Sequence, residues 1–135
     1  MPLTDHGLTL DAVAATTSYI APGLGATILA GNGERLSCWV KIIQSGAVAT
    51  VTIRITGRYY TASDAYVPVF SVLNSGGGAA ALEHAISVSG GNTYYHLIQT
   101  ENQMGAMAGV RVEAKGDAAG ATVSAALVTY VPDSR

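Results

Sequence analysis

Hydrophobic and polar positions alternate with a period of two through much of this chain. In AVATVTIRITG (47–57), Val51, Ile53 and Ile55 fall on one side, and Thr50, Thr52, Arg54 and Thr56 on the other. That alternation predicts a half-buried strand. GVRVEAKG (109–116) repeats it, with Val110, Val112 and Ala114 inward and Arg111, Glu113 and Lys115 outward. RLSCWVKII (35–43) is apolar on both sides near its middle, which predicts a strand buried on two faces with Trp39 in the core. Residues 66–73 and 121–131 read as further strands, and GLTLDAVA (7–14) and GATILAG (25–31) as the first two.

The stretch AAALEHAISVSGGNTYYHLIQT (79–100) admits two readings. Its first part has helix formers with Leu82 and Ile86 four apart, but Leu82, His84, Ile86 and Val88 also alternate. Gly90-Gly91 then leads into a second alternating run, which predicts a β-hairpin, with a short helical turn near Ala79 as the other possibility. Turn signals such as Gly31-Asn32-Gly33, Ser45-Gly46 and Gly116-Asp117 separate the runs at the spacing of a sandwich or barrel. The fold expected is all-β: a single domain over residues 1–135, a jelly-roll-like β-sandwich of about eight or nine strands.

Residues 1–25, which end near Ala21-Pro22-Gly23, read as an N-terminal arm. Proline there interrupts regular pairing. Leu8, Leu10 and Val13 would anchor the arm on a neighbouring subunit, so deleting residues 1–20 should leave a folded domain with weakened assembly.

Composition sharpens the picture. Only 12% of the 135 residues are charged, seven Lys or Arg and nine Asp or Glu. Soluble domains usually carry about twice that fraction. The surface must therefore be largely Thr, Ser, Gly, Asn and Ala, which can be buried against neighbours without desolvating charge. A homo-oligomer is expected. The net charge of −2 and scattered cations leave no footprint for nucleic acid. No apolar run approaches the roughly 20 residues of a membrane span. MPLTDHGLTL lacks the features of a signal peptide, so synthesis in the cytoplasm without secretion is expected. A single cysteine, Cys38, rules out an intrachain disulfide, and its apolar run marks it as a small buried hydrophobe.

No catalytic set is visible. His6, His84 and His96 lack metal-ligand spacing, and a structural His84–His96 pairing outweighs a zinc site because no third ligand is evident. A nucleophile elbow is missing, and NSGGGAA lacks the residues of a phosphate loop. No enzyme, cofactor or metal is expected. The tyrosines allow one binding reading: Tyr59, Tyr60, Tyr94 and Tyr95 stacking on a glycan while Arg58, His96 or Asp64 bond its hydroxyls. Strand geometry opposes it, since neighbours within each tyrosine pair point to opposite faces. Packing and assembly come first for these residues, and ligand binding second.

The start MPLTDHG, the strands SGAVATVTIRITG and GDAAGATVSAALVTYVP, and the shortage of charge together resemble small β-sandwich proteins of tailed-phage virions. That resemblance implies a structural, non-enzymatic virion protein. It would be a capsid decoration protein, often trimeric and bound to the major capsid protein, or else a tail, baseplate or fibre component. A carbohydrate-binding sandwich is the alternative from a different class.

Overall fold

The computed structural model describes residues 3–20, 28–30, 35–58, 67–68, 83–99 and 107–130. Among them are nine strands: β1 (Leu3–Ala14), β2 (Ile28–Ala30), β3 (Arg35–Gln44), β4 (Thr50–Arg58), β5 (Val67–Pro68), β6 (Glu83–Ser87), β7 (Thr93–Gln99), β8 (Met107–Gly116) and β9 (Ala121–Tyr130). They form two antiparallel sheets. The first has the order β1-β9-β3-β7. The second is built on β8, β4 and β6, with the short β2 added beside β8, and β5 sharing with β6 the far edge of β4. Successive strands cross between sheets except around β4, β5 and β6, which gives a jelly-roll-like sandwich.

The core follows from the alternation. Ile53 and Ile55 of β4 lie opposite Ala114 and Val112 of β8, with Val51 opposite Gly116 and Val110 opposite Gly57, and all these aliphatic side chains are excluded from solvent. Leu36, Cys38, Val40 and Ile42 of β3 and Val123, Ala125 and Leu127 of β9 close the core from the other sheet. Aliphatic residues at every second position on two facing sheets fill the layer between them.

Three expectations are corrected. Trp39 is not core: β3 is buried on one face only, and Trp39 is 55% exposed on the other. The run from 83 to 99 is not a hairpin within one sheet. Gly90 and Gly91, both at positive φ, do turn the chain, with Asn92 N–H donating to Ser89 O. Each leg is then captured by a different sheet. Val88 N–H donates to Ala49 O just before β4, and Gln44 N–H at the end of β3 donates to Asn92 O. The result is an arch from β6 on β4 to β7 on β3.

The third correction concerns the arm. Residues 3–14 pair with β9 from Leu3↔Tyr130 to Ala14↔Thr122, as a strand of the chain's own sheet. Leu10 is 1% exposed in the core and Val13 packs against it, whereas Leu8 pairs with Ala126. Register shifts interrupt β1 between Asp5 and Val13, and Ala12 sits at φ 51 with its N–H donating to Ser124 Oγ. The chain then turns the corner between sheets. Ala15 N–H donates to Ala121 O in the first sheet, while Thr16 O accepts from Gly116 N–H and Ile20 N–H donates to Ala114 O in the second. The part of the arm around Pro22, the strand expected from 69 to 73 and the helical turn near Ala79 lie outside the described residues.

Candidate functional site

The two outer faces differ sharply in charge. On the second sheet, Arg54 (β4), Glu83 (β6) and Arg111, Glu113 and Lys115 (β8) all point outward. Glu113 is buried there because Arg54 and Arg111 grip its two carboxylate oxygens at 2.7 and 3.0 Å. Tyr19 lies across this network. Its ring is 3.7 Å from the Arg54 guanidinium and 4.7 Å from Lys115 Nζ, and its hydroxyl donates to Glu83. Burial, and then the Glu83 bond and charge, hold the phenol above its ordinary range. This face is polar, satisfied and partly covered by its own chain.

On the first sheet, β3, β7 and β9 present the opposite character, beside β1 with its exposed Asp11. Every second residue of β3, β7 and β9 points out: Trp39, Lys41 and Ile43, then Tyr95 and Leu97, then Ser124 and Ala126. Of the described side chains on these three strands, Lys41 is the only charged one facing outward. Trp39 stands between Leu97 and Ala126, and Lys41 between Tyr95 and Ser124. Exposures of 55% for Trp39, 72% for Tyr95, 39% for Ile43 and 38% for Leu97 make a contiguous apolar surface. The small side chains of Ser124 and Ala126 leave a floor between the aromatic walls. The open depression that results has a volume of about 240 Å³. Lys41, on the middle strand, holds its Nζ 6.0 Å from the Tyr95 ring centroid.

The residues read as a glycan platform are not brought together. Tyr95 joins the outer face, but Tyr94 and His96 point into the sandwich. The Tyr94 hydroxyl accepts from Ser89 N–H at 2.9 Å and donates to Ser89 O at 3.1 Å, bracing the arch. Arg58 is the last residue of β4, opposite Gly109, and Tyr59, Tyr60 and Asp64 lie outside the described residues. Two contributors escaped the sequence reading. Trp39 is the larger aromatic of the exposed face. Gln44 ties two loops together: its amide donates to Gly46 O and Val48 O of the β3–β4 loop, and its carbonyl accepts from Gly91 N–H of the β6–β7 turn.

His84 and His96 do meet, edge to face at 6.1 Å between ring centroids, one from each sheet. Burial, and then the charge His96 can carry, hold His84 below its ordinary pKa. The other titratable side chains of these core faces are Tyr94 on β7 and Cys38 on β3, while Glu83 is engaged by Tyr19 on the opposite face. Burial also pushes the Cys38 thiol up to about 12, which keeps it protonated and unreactive. Among the described residues, no group of three or more His, Cys, Asp or Glu side chains could hold a metal ion.

A pH dependence follows from His84. The unfolded chain takes up its proton near pH 6.5, before the folded chain does, so protonation favours unfolding. The stability is present above that value and is lost as pH falls below it. The thermal midpoint should fall as pH drops below about 6.5, and His84→Leu should flatten that slope. An unchanged slope in the variant would assign the acid sensitivity elsewhere.

No family model matches this chain, and no curated protein does. It is similar to a solved chain of Bacillus endospore appendages, described as a novel family of disulfide-linked pili. The identity is 13% and the TM-score 0.35, over 98% of this chain and 85% of the other. The resemblance to tailed-phage virion proteins is corrected by these findings, since the structural similarity is to a pilus chain and no phage family model matches.

Proposed function

We propose that this protein is a non-enzymatic structural subunit that works by assembling with copies of itself. The observation that carries this reading is the segregation of its few charges. The described charges of β4, β6 and β8 lie on one sheet face, and the opposite face presents Trp39, Ile43, Tyr95 and Leu97 to solvent. A contiguous exposed apolar surface on a soluble domain marks an interaction site. Its low charge, Lys41 alone among the described outward side chains of β3, β7 and β9, keeps the desolvation cost of covering it small. The paired histidines and the buried thiol face the core, where a substrate has no access.

Sedimentation of the full chain over a range of concentrations tests the reading. A mass that rises to a defined multiple of the single chain is expected, and a monomer at every concentration would overturn it. A carbohydrate-binding module is the second reading, favoured by Trp39 and Tyr95 lining one depression. It is the weaker because the lining holds no carboxylate or amide side chain to take paired sugar hydroxyls.

A further inference from the structure

We infer that the outer face of strands β9, β3 and β7 is a self-complementary contact, in which Trp39 of each copy enters the depression over Ser124 and Ala126 of the other. The inference rests on the assembly reading above and goes further by naming the surface, the anchor and the twofold arrangement. A twofold contact requires one patch to carry both a projection and the hollow that receives it, since residue i meets residue j and j meets i. This face has both within a few residues. Trp39 projects from β3, and beside it the small residues of β9 leave the hollow.

The chemistry of the hollow favours protein over sugar. Its walls are the Trp39 and Tyr95 rings, its floor is Val40, Ser124 and Ala126, and Lys41 is its single charge. A buried indole is a common anchor of protein interfaces, ringed by contacts that exclude water. Ile43 and Leu97 extend the apolar surface on either side. Lys41 lies on the middle strand of this face with its Nζ 6.0 Å from the Tyr95 ring centroid, so closure leaves its ammonium group beside an aromatic ring.

The area suits a reversible contact. The outward residues lie on β3, β7 and β9, and three strands about 33 Å long at about 4.8 Å spacing cover roughly 480 Å². Two such faces bury roughly 950 Å², in the range of weak, transient contacts. The other sheet offers no equal: its outer face has Tyr19 laid across it, and its buried Glu113 is held by two arginines.

Trp39 is the single tryptophan of the chain, so its emission reports on this face without any variant. With the full chain, emission should shift to the blue as concentration rises, in step with the sedimenting mass. Trp39→Ser and Leu97→Ser should each weaken self-association on the order of tenfold or more with unchanged circular dichroism, while Ala85→Ser on the other sheet should not. Assembly that proceeds with no emission shift, or equally well in both Trp39→Ser and Leu97→Ser, overturns this surface and leaves the assembly reading standing. A chain that stays monomeric overturns both. A blue shift on adding cellohexaose to a monomeric chain also overturns the proposal and gives the face to a glycan.

Discussion

A chain lacking residues 1–20 will show no cooperative unfolding transition, because the deletion removes a structural strand. β1 runs beside β9 from Leu3↔Tyr130 to Ala14↔Thr122, and without it one edge of β9 loses its partner. The core loses Leu10 and Ala15, which are almost wholly excluded from solvent, and the support of Val13. Removing a buried leucine side chain alone costs about 2–5 kcal/mol. The corner goes too: Thr16 O no longer accepts from Gly116 N–H, and Ile20 N–H no longer donates to Ala114 O. Tyr19 leaves Arg54, Lys115 and Glu83. Against a domain stability of about 5–15 kcal/mol, these losses exceed what the remaining strands can hold. Circular dichroism through a urea titration is the check. A truncated chain with a sharp transition near that of the full chain would restore the reading of this segment as an arm. Leu10→Ala separates the core from the backbone: it should fold, with a stability lower by about 2–5 kcal/mol.

What the sequence revealed depended on how many faces of each strand are buried. β4 and β8 pack on one face and carry Thr, Arg, Glu or Lys on the other, so their alternation reads directly. β3 misleads because Trp39 and Ile43 are apolar on the open face. Periodicity cannot separate a strand buried on both sides from one that offers a second apolar face to a partner. The strand at 7–14 was legible, but register shifts between Asp5 and Val13 break its period of two, and its membership of the domain's own sheet rests on pairing with the distant β9. The Gly90-Gly91 turn was legible, but a hairpin and an arch share the same local sequence. What separates them is the capture of Val88 by Ala49 O and of Asn92 O by Gln44, contacts distant along the chain. The same limit hid the candidate site. Trp39, Tyr95 and Ala126 come from three strands, and no short motif joins them.

Gly120→Val is expected to lower stability by about 3–5 kcal/mol, through strain and lost main-chain bonds. Gly120 precedes β9 at φ 117, a conformation open to glycine and strained for any residue with a Cβ. Space is lacking as well. A Cβ there would lie 2.5 Å from Gly46 Cα and 2.7 Å from Gly46 N, both main-chain atoms that no rotamer change can move aside. Gly46 is equally confined, since a Cβ on it would meet Gly120 Cα at 2.8 Å. The two glycines let the β3–β4 loop lie on the β8–β9 turn, where Gly120 O accepts from Ser45 N–H at 2.7 Å and Gly46 N–H at 3.2 Å. Asp117, in the same turn, accepts from Ala49 and Thr50 N–H at 2.8 and 3.2 Å, and these bonds hold its carboxyl below the ordinary range. Forcing the turn away from Gly46 therefore strains the anchor of both β4 and β9. Gly91→Ala is the control for backbone conformation without the clash. Gly91 is also at positive φ, at 68, but a Cβ there meets only Gln44 O at 3.8 Å, an ordinary contact. Its cost should be about 1–2 kcal/mol. Urea midpoints of the two variants decide the matter. Equal losses would show that conformation alone governs both sites. A Gly120→Val chain within about 1 kcal/mol of the original would mean that the Gly46–Gly120 contact yields without disturbing the sandwich.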